Sequence, residues 1–373
     1  MNTKQCFKYK THIIFRRDYM FIKKSGAMLL LVLALFLAGC SGGGTTTTNE
    51  AGKDEKKLTE ITFSEPARIL SLAPFYVAVE KGFLKEEGIK AEIASGGGGS
   101  QVIASVLSGQ AQFAISGPRS MFVPLEKGED LVAIQSLNSA LTFEIALSNE
   151  YIEEKKIKVD APLKDRVASL EGASIGTNVV GDSGDIYTRY LMQLHGIDPS
   201  SVKMVKLAGT GPKIGGMKEG VVSGGISSPP FAAQVKDESV GELVIKASEE
   251  PTYANMVWEV VFADREYLEE NPDIAAKVVR AIGKGLEFTR ENPKEAAESI
   301  ASYFEGTDLK VLENSLIDLK DTFQGYGEMT KESWDNAQVP LVEFGDLTGI
   351  KKEQNTEPGG IWTNEYIEEA FPK

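Results

Sequence analysis

Hydrophobic positions along this chain change period several times, and each change marks a segment. The longest apolar run, residues 27–38, follows Lys23 and Lys24. It is too short to span a bilayer core, which needs about 20 residues, and it reads as the apolar stretch of an export signal covering 1–39. Residues 41–57 carry no side chain large and apolar enough to seed a core, so 40–57 reads as a flexible tether. From Leu58 onward, short apolar runs alternate with stretches whose apolar residues recur at three- and four-residue spacing. This predicts strands over 58–64, 90–95, 112–116, 131–137 and 142–147, with helices over 75–87, 100–108 and 119–127 between the first four. After a charged, proline-containing stretch at 150–170, a second series begins. Its strands fall over 173–177, 203–207, 224–227 and 242–247, with helices over 182–194 and 231–236. Beyond Asp264 the spacing is helical throughout, over 264–270, 273–291, 294–303, 309–323 and 331–347, punctuated by Asn271-Pro272 and Asn292-Pro293.

Strands that alternate with helices of this length imply an α/β fold with largely parallel pairing and right-handed crossovers. The repeated half-pattern predicts two similar lobes, 58–148 plus 252–373 and 149–251, with a cleft between them and a helical C-terminal segment. About 315 residues beyond the tether are too many for one ordinary domain and suit two lobes.

The export segment ends in Leu37-Ala38-Gly39-Cys40. Small residues just before a cysteine resemble the bacterial lipobox, in which the thiol is lipidated and the peptide is cut so that the cysteine becomes the first residue. Cys40 is then the expected lipid anchor, with a palmitate-type acyl chain holding the protein to the outer face of the cell membrane. Met20 opens a conventional signal sequence, Met-Phe-Ile-Lys-Lys, and is the expected true start. Composition sharpens this picture. The whole chain holds 40 basic and 54 acidic residues, and removal of 1–39 leaves 33 against 53, a net charge of −20. Such an acidic surface argues against nucleic acid and against adsorption to anionic lipid. Cys6, Cys40, His12 and His195 are all the cysteines and histidines of the chain. The mature part therefore has no disulfide, no Cys/His metal cage and no Cys–His dyad, and the sequence implies neither a metal nor a cofactor.

In open α/β sheets, ligands sit beyond the carboxyl ends of the strands. The loop after the first strand contains Arg68, a fork of donors suited to a carboxylate, sulfonate or phosphate, and leads to Phe75 and Tyr76, which either stack on a ligand or belong to the core. The second loop, Ser95-Gly96-Gly97-Gly98-Gly99-Ser100, lets backbone amides at a helix start approach an anion. Ser116 and Arg119 border the third loop. Thr177, Asn178 and Ser183 line the corresponding loop of the second lobe, and Phe231 follows Ser227-Ser228-Pro229-Pro230. Two spellings imitate hydrolases: Gly181-Asp182-Ser183-Gly184 and Gly172-Ala173-Ser174-Ile175-Gly176. Ser174 enters a strand rather than leaving one. His195 ends the helix that starts beside Ser183, about 18 Å further along at ~1.5 Å per residue, so no dyad forms.

Residues 73–89, with Glu80-Lys81-Gly82-Phe83 and Glu87-Gly88-Ile89, resemble the nitrate/sulfonate/taurine and thiamine-precursor family of ABC solute-binding proteins. Residues 107–115, Ser228-Pro229-Pro230-Phe231 and 288–297 extend the resemblance over about 58–370. It implies a type II periplasmic-binding-protein fold that closes on its ligand. It also implies ABC permease and ATPase partners, an extracytoplasmic monomer without enzymatic activity, and ligand contacts at the ten loop residues Arg68, Phe75, Gly98, Ser100, Ser116, Arg119, Thr177, Asn178, Ser183 and Phe231. The chain departs from its relatives where they carry an alanine-rich helix: it has Gly209-Thr210-Gly211-Pro212-Lys213-Ile214-Gly215-Gly216, and Gly224-Gly225 replaces an acidic-small pair. The two arginines favour a small anionic organic solute, sulfonate-, taurine- or nitrate-like. The aromatic residues leave open a thiamine-type pyrimidine, a flavin or another aromatic compound. A ligand-sensing lipoprotein is a further class. A pyrimidine-synthase-like enzyme needs a sacrificial histidine and a cysteine-rich motif that this chain lacks.

Overall fold

The computed structural model describes residues 57–372. Its ten strands are β1 (Thr59–Glu65), β2 (Ile89–Ser95), β3 (Phe113–Ser116), β4 (Leu131–Asn138), β5 (Glu144–Ser148), β6 (Ser174–Thr177), β7 (Lys203–Lys206), β8 (Gly224–Ser227), β9 (Gly241–Lys246) and β10 (Trp258–Asp264). They form two five-stranded sheets, ordered β2-β1-β3-β10-β4 and β7-β6-β8-β5-β9. β1 pairs in parallel with β2 and β3, and β6 with β7 and β8. β10 runs antiparallel to β3 and β4, and β5 antiparallel to β8 and β9. Each sheet therefore receives one antiparallel strand directly after the chain crosses from the other.

Two sequence expectations change here. β5, expected to close the first lobe, hydrogen-bonds inside the second sheet, so the crossing falls at 139–143 rather than after 148. A strand's period says that it is half or fully buried, not which sheet it joins. β10 went unassigned because 256–263 is an unbroken apolar stretch interrupted only by Glu259, and such a run has no period to read.

The helices that matter below are α1 (Ala73–Glu80), α2 (Gly98–Leu107), α3 (Arg119–Glu126), α4 (Ser183–Leu194), α5 (Thr210–Lys218), α6 (Phe231–Asp237), α7 (Pro272–Glu291), α8 (Leu309–Leu319) and α9 (Lys331–Glu343). The helix expected over 75–87 is interrupted: Gly82 takes φ +79, a left-handed conformation cheap only for glycine, and a separate turn follows at Phe83–Glu86. α5 forms despite Gly211, Pro212, Gly215 and Gly216. Tertiary packing overrides propensity there, since Ile214 and Met217 are buried and a Cβ at Gly216 would meet Leu207 and Val222.

One apolar core lies between the first sheet and α1, α7 and α8. A second runs from the opposite face of that sheet, through α9, into the second sheet. α9 bridges the lobes: Trp334 packs edge-on against Phe122 of α3 at 5.9 Å, and Tyr187 of α4 donates its hydroxyl to the Ala337 carbonyl at 2.9 Å. The sheet edges that carry the strand ends are thereby held face to face.

α1 and α7 approach so closely that a methyl on Gly285 would run into the Pro74 carbonyl and lie 3.2 Å from Ala78 Cβ. Gly285→Ala should lower unfolding free energy by about 1–3 kcal/mol, the usual cost of overpacking. Urea unfolding at unchanged m-value is the measurement, and an unaltered midpoint would contradict this packing.

Candidate functional site

The parallel strands of both sheets end at the same place. Glu65, Ser95 and Ser116 close β1, β2 and β3, and Thr177, Lys206 and Ser227 close β6, β7 and β8. The loops beyond them touch across the lobes: Leu70 N donates to the Pro229 carbonyl at 3.1 Å, and the Thr142 and Ser228 hydroxyls pair at 3.0 Å.

On the first lobe, Glu65 is fully buried. Arg68 Nη1 donates to its Oε1 at 2.5 Å, and the Tyr76 hydroxyl donates to its Oε2 at 2.8 Å. The Arg68 guanidinium also lies 5.4 Å and 4.9 Å from the ring centroids of Tyr76 and Tyr303, which stack on each other at 4.7 Å. Burial raises the Glu65 carboxyl above the usual range, with Ser95, Arg68 and Tyr76 drawing it back. A second carboxylate, Glu259 on β10, is 2% exposed, and burial followed by the charge of Glu65 pushes it up to about 8. Its Oε2 has no hydrogen-bond partner.

On the second lobe, Asp182 caps α4. Its oxygens accept from Thr177 Oγ1 at 2.7 Å, Val179 N at 2.9 Å and Asp185 N at 3.0 Å. Gly181 N donates to buried Asp185 at 2.8 Å. Glu144 on β5 accepts from Ala232 N in the first turn of α6 at 3.1 Å, and burial pushes it up to about 7. Lys213 of α5 is 1% exposed; its Nζ donates to Asn178 Oδ1 at 3.0 Å and lies 5.9 Å from the Phe231 ring. Burial pushes its ammonium down to about 8, against the pull of Asp182.

The structure places each expected contact as follows. Arg68 is at the strand ends but already paired with Glu65. Phe75 is fully buried against Phe63, and Phe231 fills the space above Gly225, so both are core residues. Gly98 N donates to the Pro66 carbonyl and Gly96 N to the Glu65 carbonyl, which occupies two amides of the glycine loop. Ser100 is exposed on α2. Ser116 is buried and bonded to Ser120 at 2.8 Å. Arg119 faces Asp182 and Tyr187 from across the cleft; burial lowers its pKa, and its Nε is unpartnered. Thr177 serves Asp182, Asn178 orients Lys213, and Ser183 opens α4 half-buried. His195 caps the far end of α4 and pairs with Glu250 at 3.0 Å, away from Ser183. Cys40 and the export segment lie outside the described residues.

Glu65, Glu259, Glu144 and Lys213 were missed. The signal was present: Glu259 is a lone charge in an eight-residue apolar run, and Lys213 is the only charge in the glycine-rich departure, both costly unless partnered or functional.

A protein-family model described as NMT1/THI5 like matches residues 70–296. The chain belongs to this family. Among its relatives, YtlA of Bacillus subtilis, named as a binding protein, is 24% identical over 305 residues, covering 80% of this chain and 87% of YtlA. The aliphatic sulphonate binding protein SsuA of Escherichia coli superposes with TM-score 0.62 at 15% identity, over 83% of this chain and 99% of SsuA. The nitrate-binding protein NrtA of Synechocystis PCC 6803 does so with TM-score 0.61 at 17% identity, over 84% and 88%. The two-sheet architecture of this NMT1/THI5-like protein is thus the periplasmic-binding-protein fold that the sequence resemblance implied. Among the described residues no helix is long and apolar enough to cross a membrane.

Lys213 gives the site a pH signature. In the unfolded chain a lysine titrates near about 10.4, above the folded value of about 8, so the unfolded state binds more protons between these limits. Stability should therefore rise as pH goes from 8 to 10, by up to about 3 kcal/mol at ~1.4 kcal/mol per unit. Lys213→Met should lack this rise in denaturant titrations at pH 7.5, 9 and 10; parallel curves for the two proteins would refute a buried, desolvated amine.

Proposed function

We propose that this protein captures a small solute outside the cell and presents it to the permease and ATPase subunits of an ABC importer, as a monomeric binding protein rather than an enzyme. The observation that carries this reading is the pair of facing strand-end edges. Their loops meet at Leu70 and Pro229 over buried, chargeable side chains drawn from both lobes. Such an arrangement encloses a ligand between two lobes without supplying a nucleophile–base pair at Ser183, whose nearest histidine in sequence caps the opposite end of α4. The names of its relatives agree: YtlA is named as a binding protein, and SsuA and NrtA as binders of sulphonate and nitrate.

A thermal-shift screen against sulfonates, nitrate, amines, pyrimidines and flavins should find a binder. A ligand at 100 times its dissociation constant adds about 2.7 kcal/mol and raises the melting temperature. Failure of every class would remove the support for solute capture.

The anchor belongs to the same reading, with Cys40 carrying the lipid after removal of 1–39. Cys40→Ser, expressed as the full chain in a bacterial host, should leave the detergent phase and the membrane fraction that the parent occupies. Equal membrane partition of the two proteins would rule out lipidation of that thiol.

A further inference from the structure

Several features that read in the sequence as anion sites already hold an acceptor from the protein itself. Arg68 is paired with Glu65. Val179 N, Gly181 N and Asp185 N, before and within the first turn of α4, are taken by Asp182 and Asp185, and Ala232 N by Glu144. Gly96 N and Gly98 N are taken by the backbone of 65–66. Arg119 faces Asp182 across the cleft.

Two buried carboxylates meet at the edge of the first sheet, Glu65 held by Arg68 and Tyr76, and Glu259 with one oxygen unpartnered. Phe63 pairs with Phe113, and Val261 with Ile115. Side chains alternate along a strand, so Glu65, two residues after Phe63, and Glu259, two before Val261, belong to the same sheet face. That face is covered by the turn Leu70–Leu72. Ser71 in that turn is fully buried with its hydroxyl beside Glu259, close enough to draw the carboxyl's pKa down, and apart from that approach neither the hydroxyl nor Glu259 Oε2 meets a hydrogen-bond partner. Glu259 is held at φ +49, a conformation that costs a non-glycine residue energy and persists only where the surroundings enforce it. Beside the carboxylates, Tyr76 and Tyr303 already bind one guanidinium, that of Arg68, against their rings.

We propose that the solute carries a positively charged nitrogen head, an amine, amidine or guanidine, which docks on Glu65 and Glu259 beneath Ser71. This rests on the solute-capture reading above and specifies its ligand class. Burial and the neighbouring Glu65 disfavour the ionised form of Glu259, and a cation beside it offsets both and satisfies its open oxygen. Entry requires the Leu70–Pro229 contact to open and the Leu70–Leu72 turn to move off the carboxylates.

Proton linkage follows. The charged groups facing Glu259 are Glu65 and, through Glu65, Arg68. With its carboxyl at about 8, Glu259 is protonated at pH 6, so a cation must displace that proton on binding. Affinity then rises toward pH 8 by as much as tenfold per unit.

The test uses the full chain and matched compounds: benzamidine, benzylamine and methylguanidine against benzamide, benzoate and benzenesulfonate. Melting shifts at pH 6 and 8 are combined with calorimetry in two buffers of different ionisation heat. At least one of the three cations should bind tenfold or more tighter than benzamide. It should bind more tightly at pH 8 than at pH 6 and release close to one proton at pH 6. Glu259→Gln, an uncharged isostere whose ligand-free melting reports its folding, should lose at least tenfold in cation affinity together with the proton release. Proton release by the parent tests the same point should that variant fold poorly. Preference for benzoate or benzenesulfonate would overturn the ligand class and leave solute capture standing. Cation binding without proton release, or undiminished in Glu259→Gln, would overturn the site. No binding by these compounds, with a hit elsewhere in the wider screen, would overturn the proposal alone; silence in both would remove solute capture with it.

Discussion

Desolvation of charge at the strand ends is the constraint around which this protein is organised. A carboxylate or ammonium moved out of water is tolerated only with partners, or with its charge suppressed. Glu65, Glu144, Lys213 and Glu259 are each less than a tenth exposed. They are grouped on facing edges of two sheets rather than scattered through the cores. Glu65 is compensated by Arg68 and Tyr76, Glu144 by a backbone amide and Lys213 by Asn178. Glu259 has the poorest compensation of the four, with one oxygen unpartnered and a backbone held in a costly conformation. Uncompensated polarity of this sort is concentrated where something else completes it.

Topology is what puts these groups together. Because β10 re-enters the first sheet antiparallel between β3 and β4, its first residues lie at the same edge as the last residues of β1 and β3. Glu65 and Glu259, nearly two hundred positions apart in the chain, therefore act on each other. The same crossing places Trp258 on the other face, against Tyr187 of the second lobe and Phe143 of the crossing, with Gly117 leaving room for the indole. A single strand start thus carries an apolar wedge on one side and a carboxylate on the other.

Sequence pattern located most strands and helices because one-sided burial imposes a period on an amphipathic segment. It failed where burial is two-sided, as in β10, and where the question was which sheet a strand joins, as for β5. At the site, the loops were legible because ligand loops of an α/β sheet must lie past strand ends. Their charge state was not. Arg68 reads as a free cation until Glu65, three residues earlier at a strand end, is seen to hold it, and Asp182 reads as a helix cap without revealing that it also accepts from Thr177 and Val179 of its own loop. Phe75 and Phe231 were expected at the ligand because aromatic residues at helix starts suit stacking. The same size and shape suit the core, and the structure buries both among core residues.

The two sides of the cleft are joined by different physics. On one side a continuous apolar core runs from Phe122 through Trp334 and Trp258 to Tyr187 and Ile186, and separating such surfaces costs about 25 cal/mol for each Å² exposed. On the other, the lobes meet through Leu70–Pro229, Thr142–Ser228, Gln234–Thr307 and the exposed pair Lys246–Asp318. Hydrogen bonds of this kind exchange for water at about 1 kcal/mol each, and an exposed ion pair contributes less. Opening is therefore easier on the polar side. A rotation that leaves α9 packed while lifting Leu70 from Pro229 parts the loops at the strand ends and keeps the apolar side as its axis, so the same contrast that closes the lobes also fixes where they part.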